Sequence, residues 1–280
     1  MNHPISPNYL IIDASGFIYR AFHALPDLRT SDNRPTGAIF GFVKMLNAML
    51  KRFQPKKVAV VFDPKGGQSW RHDVYEEYKA NRQHMPDDLV AQIEPIKMIV
   101  EAMGLPQVEI PMYEADDVIA TLAKKSDEVV YIATSDKDLM QLVNKRVFIA
   151  HNLTENIIDI DGVNNKFNVK PNQVLDYLAL VGDTSDNVPG VPGIGVKTAA
   201  ELINKYGNLE TLLKSAAKSG VTTLACLPNT SPVIDEASMV ESLSRRADSL
   251  NLSKLLIYGA ASIGLDDEKM SELGLLNKAG

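Results

Sequence analysis

Cysteine is almost absent from the sequence: Cys226 is the only one in 280 residues. An internal disulfide is therefore impossible, and the composition suits a reducing cytoplasm. Histidines number five and are scattered, so no tetrahedral zinc set is in view. Apolar runs are short. None approaches the roughly 20 residues that a membrane-spanning helix needs. The opening Met1-Asn2-His3-Pro4 lacks the basic and then apolar pattern of a secretory leader. A Gly-x-x-x-x-Gly-Lys-Ser/Thr loop is missing too, which argues against a P-loop nucleotide hydrolase. These absences predict a water-soluble cytoplasmic protein with no membrane partner.

What is present is a substantial apolar content, 45%, with ordinary charge density, 23%. That is enough to bury a core over most of the length. The net charge of −6 argues at first against a nucleic-acid partner. Its distribution argues the other way. Nine acids fall in one set described below, and without them the balance is positive. Between Lys44 and Arg82, nine Lys/Arg face four Asp/Glu.

Four apolar runs read as buried strands: Tyr9–Ile12, Val58–Phe62, Val129–Ala133 and Val147–Ala150. Helical spacing occupies roughly 36–53, 88–103 and 115–125. Continuous apolar strands alternating with helices predict an α/β fold with a parallel-rich sheet covered on both faces. After about residue 165 the strand signal stops. Pro171 suits a helix first turn, and helices are expected at 196–205 and 208–216. A glycine-rich turn, 189–196, precedes those two helices. Residues 218–234 read as a loop and 235–249 as a last helix, and the final thirty residues are weakly patterned. The division predicted is 1–165 for the α/β core and 166–280 for a helical subdomain.

Strand ends carry the chemistry. Asp13 and Asp63 close two of the apolar runs, and Asp136 and Asp138 follow the third. In a parallel sheet these ends form the ligand crevice. Glu114, Asp116 and Asp117 open a helix, and Asp183 and Asp186 sit three apart in a turn. Each acid alone fits a helix cap or a turn. Together they exceed what can stay ionised at close range without cations. All-oxygen ligands select hard ions such as Mg²⁺ or Mn²⁺, and a pair of them suits phosphoryl transfer.

Two further features point to nucleic acid. Arg71, Tyr75, Tyr78, Lys79 and Arg82 recur at helical spacing, predicting one basic, aromatic helix face. A solvated helix with ordinary ion pairs explains the same pattern. The turn containing Gly190, Gly193 and Gly195, followed by Lys197, offers backbone amides to a phosphate. A tight helix–helix turn explains those glycines equally well.

These residues together resemble the 5′ nuclease domain of bacterial DNA polymerase I and its flap-endonuclease relatives. The matching motifs are Ile12-Asp13-Ala14-Ser15, Tyr19-Arg20-Ala21, Val61-Phe62-Asp63, Tyr78-Lys79-Ala80-Asn81-Arg82 and Met85-Pro86-Asp87-Asp88-Leu89. Tyr113-Glu114-Ala115-Asp116-Asp117, Ser135-Asp136-Lys137-Asp138-Leu139 and Gly182-Asp183-Thr184-Ser185-Asp186-Asn187-Val188-Pro189-Gly190 complete the set. The likeness runs from about residue 9 to 216. The stretch 64–69 is longer, and the 125–129 link shorter, than is usual there.

The resemblance implies a PIN/5′-nuclease-like core, a helical arch over about 70–100, and a helix-hairpin-helix-type subdomain. It implies a monomeric enzyme of DNA replication or repair that hydrolyses DNA at 5′ ends and flaps with two divalent ions. Asp13, Asp63, Glu114, Asp116, Asp117, Asp136, Asp138, Asp183 and Asp186 would bind the ions directly or through water. Glu114, Asp116, Asp136 and Asp138 would serve mainly one ion, and Asp183 and Asp186 the second. Lys79 and Arg82 would clamp the scissile phosphate, Tyr78 would stack on a base, and Arg20 and Arg71 would contact phosphates. Backbone carbonyls of Leu180, Val181, Pro189, Val191 and Ile194 would bind K⁺ near duplex DNA. Two rival readings share the residues: a non-catalytic DNA-junction binder of this fold, and a PIN-type ribonuclease.

Overall fold

The computed structural model describes residues 7–151, 156–218, 223–226 and 254–257. They form two compact units, one comprising residues up to Ser69 with His84–Lys166, the other Trp70–Gln83 with the residues from Phe167 onward.

The first unit is built on a six-stranded sheet. In chain order the elements are β1 (Tyr9–Asp13), α1 (Ala14–Ala24), α2 (Gly37–Phe53) and β2 (Lys57–Val61). The short helix α3 (Arg71–Val74) belongs to the other unit. Then come α4 (Asp87–Ala102), β3 (Gln107–Val108), α5 (Ala115–Lys125), β4 (Val130–Thr134), β5 (Val147–His151), β6 (Ile157–Ile158) and α6 (Ile160–Phe167). Strand order is β3-β2-β1-β4-β5-β6. All pairings are parallel except β5 with β6. The chain leaves β1 towards β2 and β3, then returns to lay β4 on the other side of β1. The switch point therefore lies between β1 and β4, where an open parallel sheet leaves a crevice at its carboxyl edge.

The central strands are buried on both faces, as continuous apolar runs require. Leu10, Ile11, Ile12, Val60, Val130 and Ile132 are fully enclosed. Tyr131 is the largest such residue, packed edge-on against Phe53 and Phe148 with centroids 5.2 and 5.4 Å away. Helices α2 and α4 cover one another through Phe42, Leu46, Leu89, Ile96 and Val100. Gln92 joins them by accepting from the Ile39 amide at 3.2 Å, and donates to Asp88 O at 2.7 Å within α4.

The four predicted strands and the three predicted core helices are present within a residue or two. Helices α1 and α6 and the two-residue strands β3 and β6 were not foreseen. Two-residue pairings carry too little pattern to read. Within the 70–100 stretch expected to form the arch, α3 spans Arg71–Val74 and α4 spans Asp87–Ala102, with Leu89, Ile96 and Val100 of α4 in the core. The single basic helix face over 71–82 is corrected. Only α3 is helical, Tyr75 is extended, and residues up to Arg82 run in turns.

The second unit contains α7 (Val174–Val181), α8 (Val196–Tyr206) and α9 (Leu209–Lys218), with a 3-10 turn at Pro171–Gln173 leading into α7. Val174, Tyr177, Leu180, Ala199, Ala200 and Ile203 are among its buried residues. Gln173 ties α7 to the end of α8, donating to Ile203 O and Gly207 O at 3.3 and 2.8 Å. Strands β7 (Thr223–Cys226) and β8 (Lys254–Ile257) pair in parallel, so the loop expected over 218–234 contains a strand. The helix expected at 235–249 and the last thirty residues lie outside the described residues.

Candidate metal centre

Asp13 is the last residue of β1 and the N-cap of α1. Its Oδ1 accepts the Gly16 amide at 2.9 Å and its Oδ2 accepts the Thr134 hydroxyl at 2.7 Å. A side chain at residue 16 would put its Cβ 2.6 Å from Asp13 Oδ2, so glycine there lets the carboxylate fold over the helix end. Burial pushes the Asp13 carboxyl up to about 6, against the pull of the two hydrogen bonds. The charges of Asp63 and Asp136 push in the same direction, so three carboxylates share one neighbourhood at the switch point.

Asp63 follows β2 and is exposed. Its Oδ1 accepts the Ala115 amide at 2.8 Å, fixing the start of α5, and its own amide donates to Ser15 Oγ at 3.3 Å. Glu114 is the buried N-cap of α5, and Asp116 and Asp117 lie half-buried in the first turn. Carboxylates there are favoured by the exposed amides of the helix end. Beyond β4, the Asp136 amide donates to Thr134 Oγ1 at 2.9 Å, and Asp136 Oδ1 accepts the Asp138 amide at 2.8 Å. Thr134 thus links Asp13 to Asp136 through one hydroxyl.

Cations flank this group. Burial and Lys137 lower the Lys166 ammonium, while Asp136 and Asp138 raise it. Burial, Arg20 and Lys166 lower His151, which pairs in register with Thr134. Burial also lowers the half-buried Arg20.

The second unit holds the remaining acids. Asp183 caps a 3-10 turn, its Oδ1 accepting Ser185 N and Oγ at 2.9 and 2.6 Å. A carboxylate oxygen of Asp183 and one of Asp186 lie within 4.8 Å of each other, a span two ligands of one cation can take. Gly182 and Gly190 are required by close approach: a Cβ on Gly190 would lie 2.2 Å from Val181 O, and one on Gly182 2.3 Å from Gly190 N. Gly193 is left-handed, at φ 75°, and Gly195 caps α8, with open space beside both. Lys197 is exposed in the first turn of α8. Of the carbonyls expected to hold K⁺, Leu180 O accepts the Val191 amide at 2.8 Å and Val191 O the Ile194 amide at 3.1 Å.

In the same unit, Tyr78 is buried, with its hydroxyl 3.0 Å from Asp186 Oδ2. Arg82 and Lys79 also reach Asp186, at 2.6 and 3.8 Å. Arg71 lies over the Trp70 ring, its Cζ 4.9 Å from the centroid. Tyr78 is therefore not presented for base stacking in this conformation.

Residues 8–168 match the 5′–3′ exonuclease N-terminal resolvase-like domain, and 169–268 match the 5′–3′ exonuclease C-terminal SAM fold. The chain belongs to the 5′–3′ exonuclease family. This is a family of nucleases, and the acidic cluster lies where its fold leaves the crevice. Among its relatives, the 5′–3′ exonuclease of Aquifex aeolicus is 45% identical over 211 residues, 74% of this chain and 73% of that protein. DNA polymerase I of Pseudomonas aeruginosa is 47% identical over 213 residues, 75% of this chain but 23% of the polymerase. The chain thus spans about a quarter of the polymerase relatives. A flap endonuclease of bacteriophage T5, solved with DNA and metal ions, shares the fold at 23% identity. Its TM-score is 0.61, with 74% of this chain and 78% of that one covered.

Three residues that hold Asp13 and Asp63 were not named as site residues from sequence: Ser15, Gly16 and Thr134. Ser15 and Gly16 directly follow Asp13, and Thr134 ends β4 two residues before Asp136. Closeness to a strand-end acid was the available signal.

Proposed function

We propose that this exonuclease-family chain hydrolyses DNA phosphodiester bonds at 5′ ends and flaps, leaving a 5′-phosphate and a 3′-hydroxyl, in DNA replication or repair. The observation that carries the reading is the carboxyl edge at the switch point. There Asp13, Asp63 and Asp136 meet closely enough for burial and mutual repulsion to hold the Asp13 carboxyl up to about 6. An all-oxygen set under that strain fits hard divalent cations, Mg²⁺ or Mn²⁺. Two ions are proposed. Glu114, Asp116, Asp136 and Asp138 are ligands of the first, Asp183 and Asp186 of the second, and Asp13, Asp63 and Asp117 act directly or through water. When bound, such ions lower the pKa of the attacking water and offset charge on the leaving oxygen.

The chain's own groups do the rest. Gly16 and Thr134 hold Asp13 in place, and Ser15 and the Ala115 amide hold Asp63. Lys79 and Arg82 stabilise charge on the scissile phosphate. Arg20, Arg71 and Lys197 contact backbone phosphates, and the open backbone at Gly193 and Gly195 lets duplex DNA approach, while Gly190 holds the turn close against Val181. K⁺ on carbonyls of Leu180, Val181, Pro189, Val191 and Ile194 would strengthen that contact. The protein acts as a monomer.

The deciding assay is a 5′-labelled flap duplex incubated with Mg²⁺ and then with EDTA. Wild type should release short 5′ products only with metal. Asp116→Asn combined with Asp138→Asn should reduce cleavage by several orders of magnitude, and unchanged cleavage would overturn the assignment. Single-stranded RNA as the preferred substrate would move the reading to a ribonuclease.

A further inference from the structure

Asp186 is fully engaged, and its partners are the residues proposed to act on phosphate. Tyr78 Oη donates to Oδ2, Arg82 donates to Oδ1 at 2.6 Å, and Lys79 Nζ lies 3.8 Å from Oδ2. The backbone repeats the connection, with the Lys79 amide donating to Asp186 O at 3.0 Å. Around it, Tyr75 Oη donates to Asn187 O, Asn187 Nδ2 to Glu77 O, and Asn81 Nδ2 to Thr184 O, at 3.0, 2.9 and 2.7 Å. Residues 75–82 have no helix of their own and are shaped by these bonds. Lys79 itself sits at φ 59°, a conformation that a non-glycine residue adopts only when its surroundings hold it there. Tyr78 is the centre of the strap. Its ring packs edge-on to His72 at 5.6 Å and under the Lys79 ammonium at 4.8 Å.

One carboxylate cannot neutralise Arg82 and Lys79 and also coordinate a divalent ion with both oxygens. Conversely, Lys79 and Arg82 cannot serve a phosphate while bound to Asp186. We infer that the strap 75–82 is a latch released by metal, and that Tyr78 is the positioning residue that keeps it closed. An ion taken by Asp183 and Asp186 competes with the two cationic side chains for the same oxygens. The displaced Lys79 and Arg82 are then available to the substrate phosphate, and Tyr78 loses its acceptor. The cationic groups are thus masked until metal is in place, a local electrostatic change acting on a two-state element. This rests on the reading of Asp186 as a metal ligand and of Lys79 and Arg82 as phosphate-binding groups.

The chain supplies its own reporter. Trp70 is its only tryptophan, is 41% exposed, and precedes the strap with Arg71 over its ring. The intact protein is titrated with Mg²⁺ while Trp70 emission, calorimetric heat and amide hydrogen exchange are followed. Flap cleavage is measured on the same sample. The emission change should track the heat, and exchange of the Lys79 amide should accelerate tenfold or more with metal. Amides of β1 should not respond in this way. Tyr78→Phe keeps the ring and removes the hydroxyl. It should bring fast Lys79 exchange without metal and tighten Mg²⁺ binding severalfold. Metal binding and flap cleavage with an unchanged strap would overturn the latch and leave the nuclease reading intact. So would a Tyr78→Phe protein with wild-type exchange and affinity. No metal binding and no cleavage would overturn both.

Discussion

Asp13 shows how a single side chain can oppose stability for the sake of a site. Its folded-state carboxyl titrates near 6, above the ordinary 3.8, chiefly because it is buried. A carboxyl raised on folding binds its proton more tightly in the native state. Metal-free stability contributed at this residue therefore rises as pH falls from 7 through about 6 towards 4, and levels off below. At neutral pH the cost is on the order of 3 kcal/mol, at ~1.4 kcal/mol for each pH unit between 3.8 and about 6. Asp13→Asn keeps the cap on α1 and removes the charge. Thermal melts without metal should show the variant more stable at pH 7 by about 1–3 kcal/mol, with the gap closing by pH 4, while Mg²⁺-dependent cleavage falls sharply. Gly16→Ala tests the support of the same carboxylate. Alanine favours the helix by ~0.5–1 kcal/mol, but its Cβ collides with Asp13 Oδ2. Metal affinity measured by calorimetry should drop about 10–100-fold with the melting temperature little changed. An unaltered affinity would show that Asp13 does not need its seat.

At the scale of elements, chain order and strand-end placement brought three acids together. β1 lies between β2 and β4 in the sheet, so Asp13, Asp63 and Asp136 come from three adjacent strands although they are far apart in sequence. The apolar runs announced those strands, because a strand covered on both faces must be apolar throughout. The basic helix face expected over 71–82 is absent for the opposite reason. Four of the five residues at helical spacing over 71–82, namely Tyr75, Tyr78, Lys79 and Arg82, bond to the 183–188 turn, and only Arg71–Val74 forms a helix. Periodicity reports a helix only when burial on one face causes it, and here hydrogen bonds to distant backbone do. The close approach of α7 to the 182–190 turn gives a sharper prediction. Gly190→Ala places a carbon 2.2 Å from Val181 O, so backbone must move. Urea denaturation should show a loss of about 2 kcal/mol or more, whereas Gly195→Ala, in open space at φ −80°, should stay within about 1 kcal/mol.

For the whole molecule, a cation that binds only the native state must stabilise it. At a hundredfold excess over the dissociation constant, Mg²⁺ should add about 2.7 kcal/mol, read as a rise in melting temperature. The rise should vanish in Asp116→Asn with Asp138→Asn. An equal rise in that variant would mean the ions bind elsewhere. Net charge, by contrast, said little about the partner, because the acids that make the chain anionic are concentrated in the proposed metal site.

The sequence by itself determined the central strands, the covering helices and the nine candidate ligands. Burial and strand-end position depend on local pattern, and pattern is written in residue types. Tertiary structure decided what no local pattern carries. It seated Asp13 between Gly16 and Thr134, raised its pKa by enclosing it beside two other carboxylates, and turned Tyr78 inward onto Asp186. Those outcomes depend on which distant backbone and side-chain groups meet, and desolvation and hydrogen bonding arise only once they do.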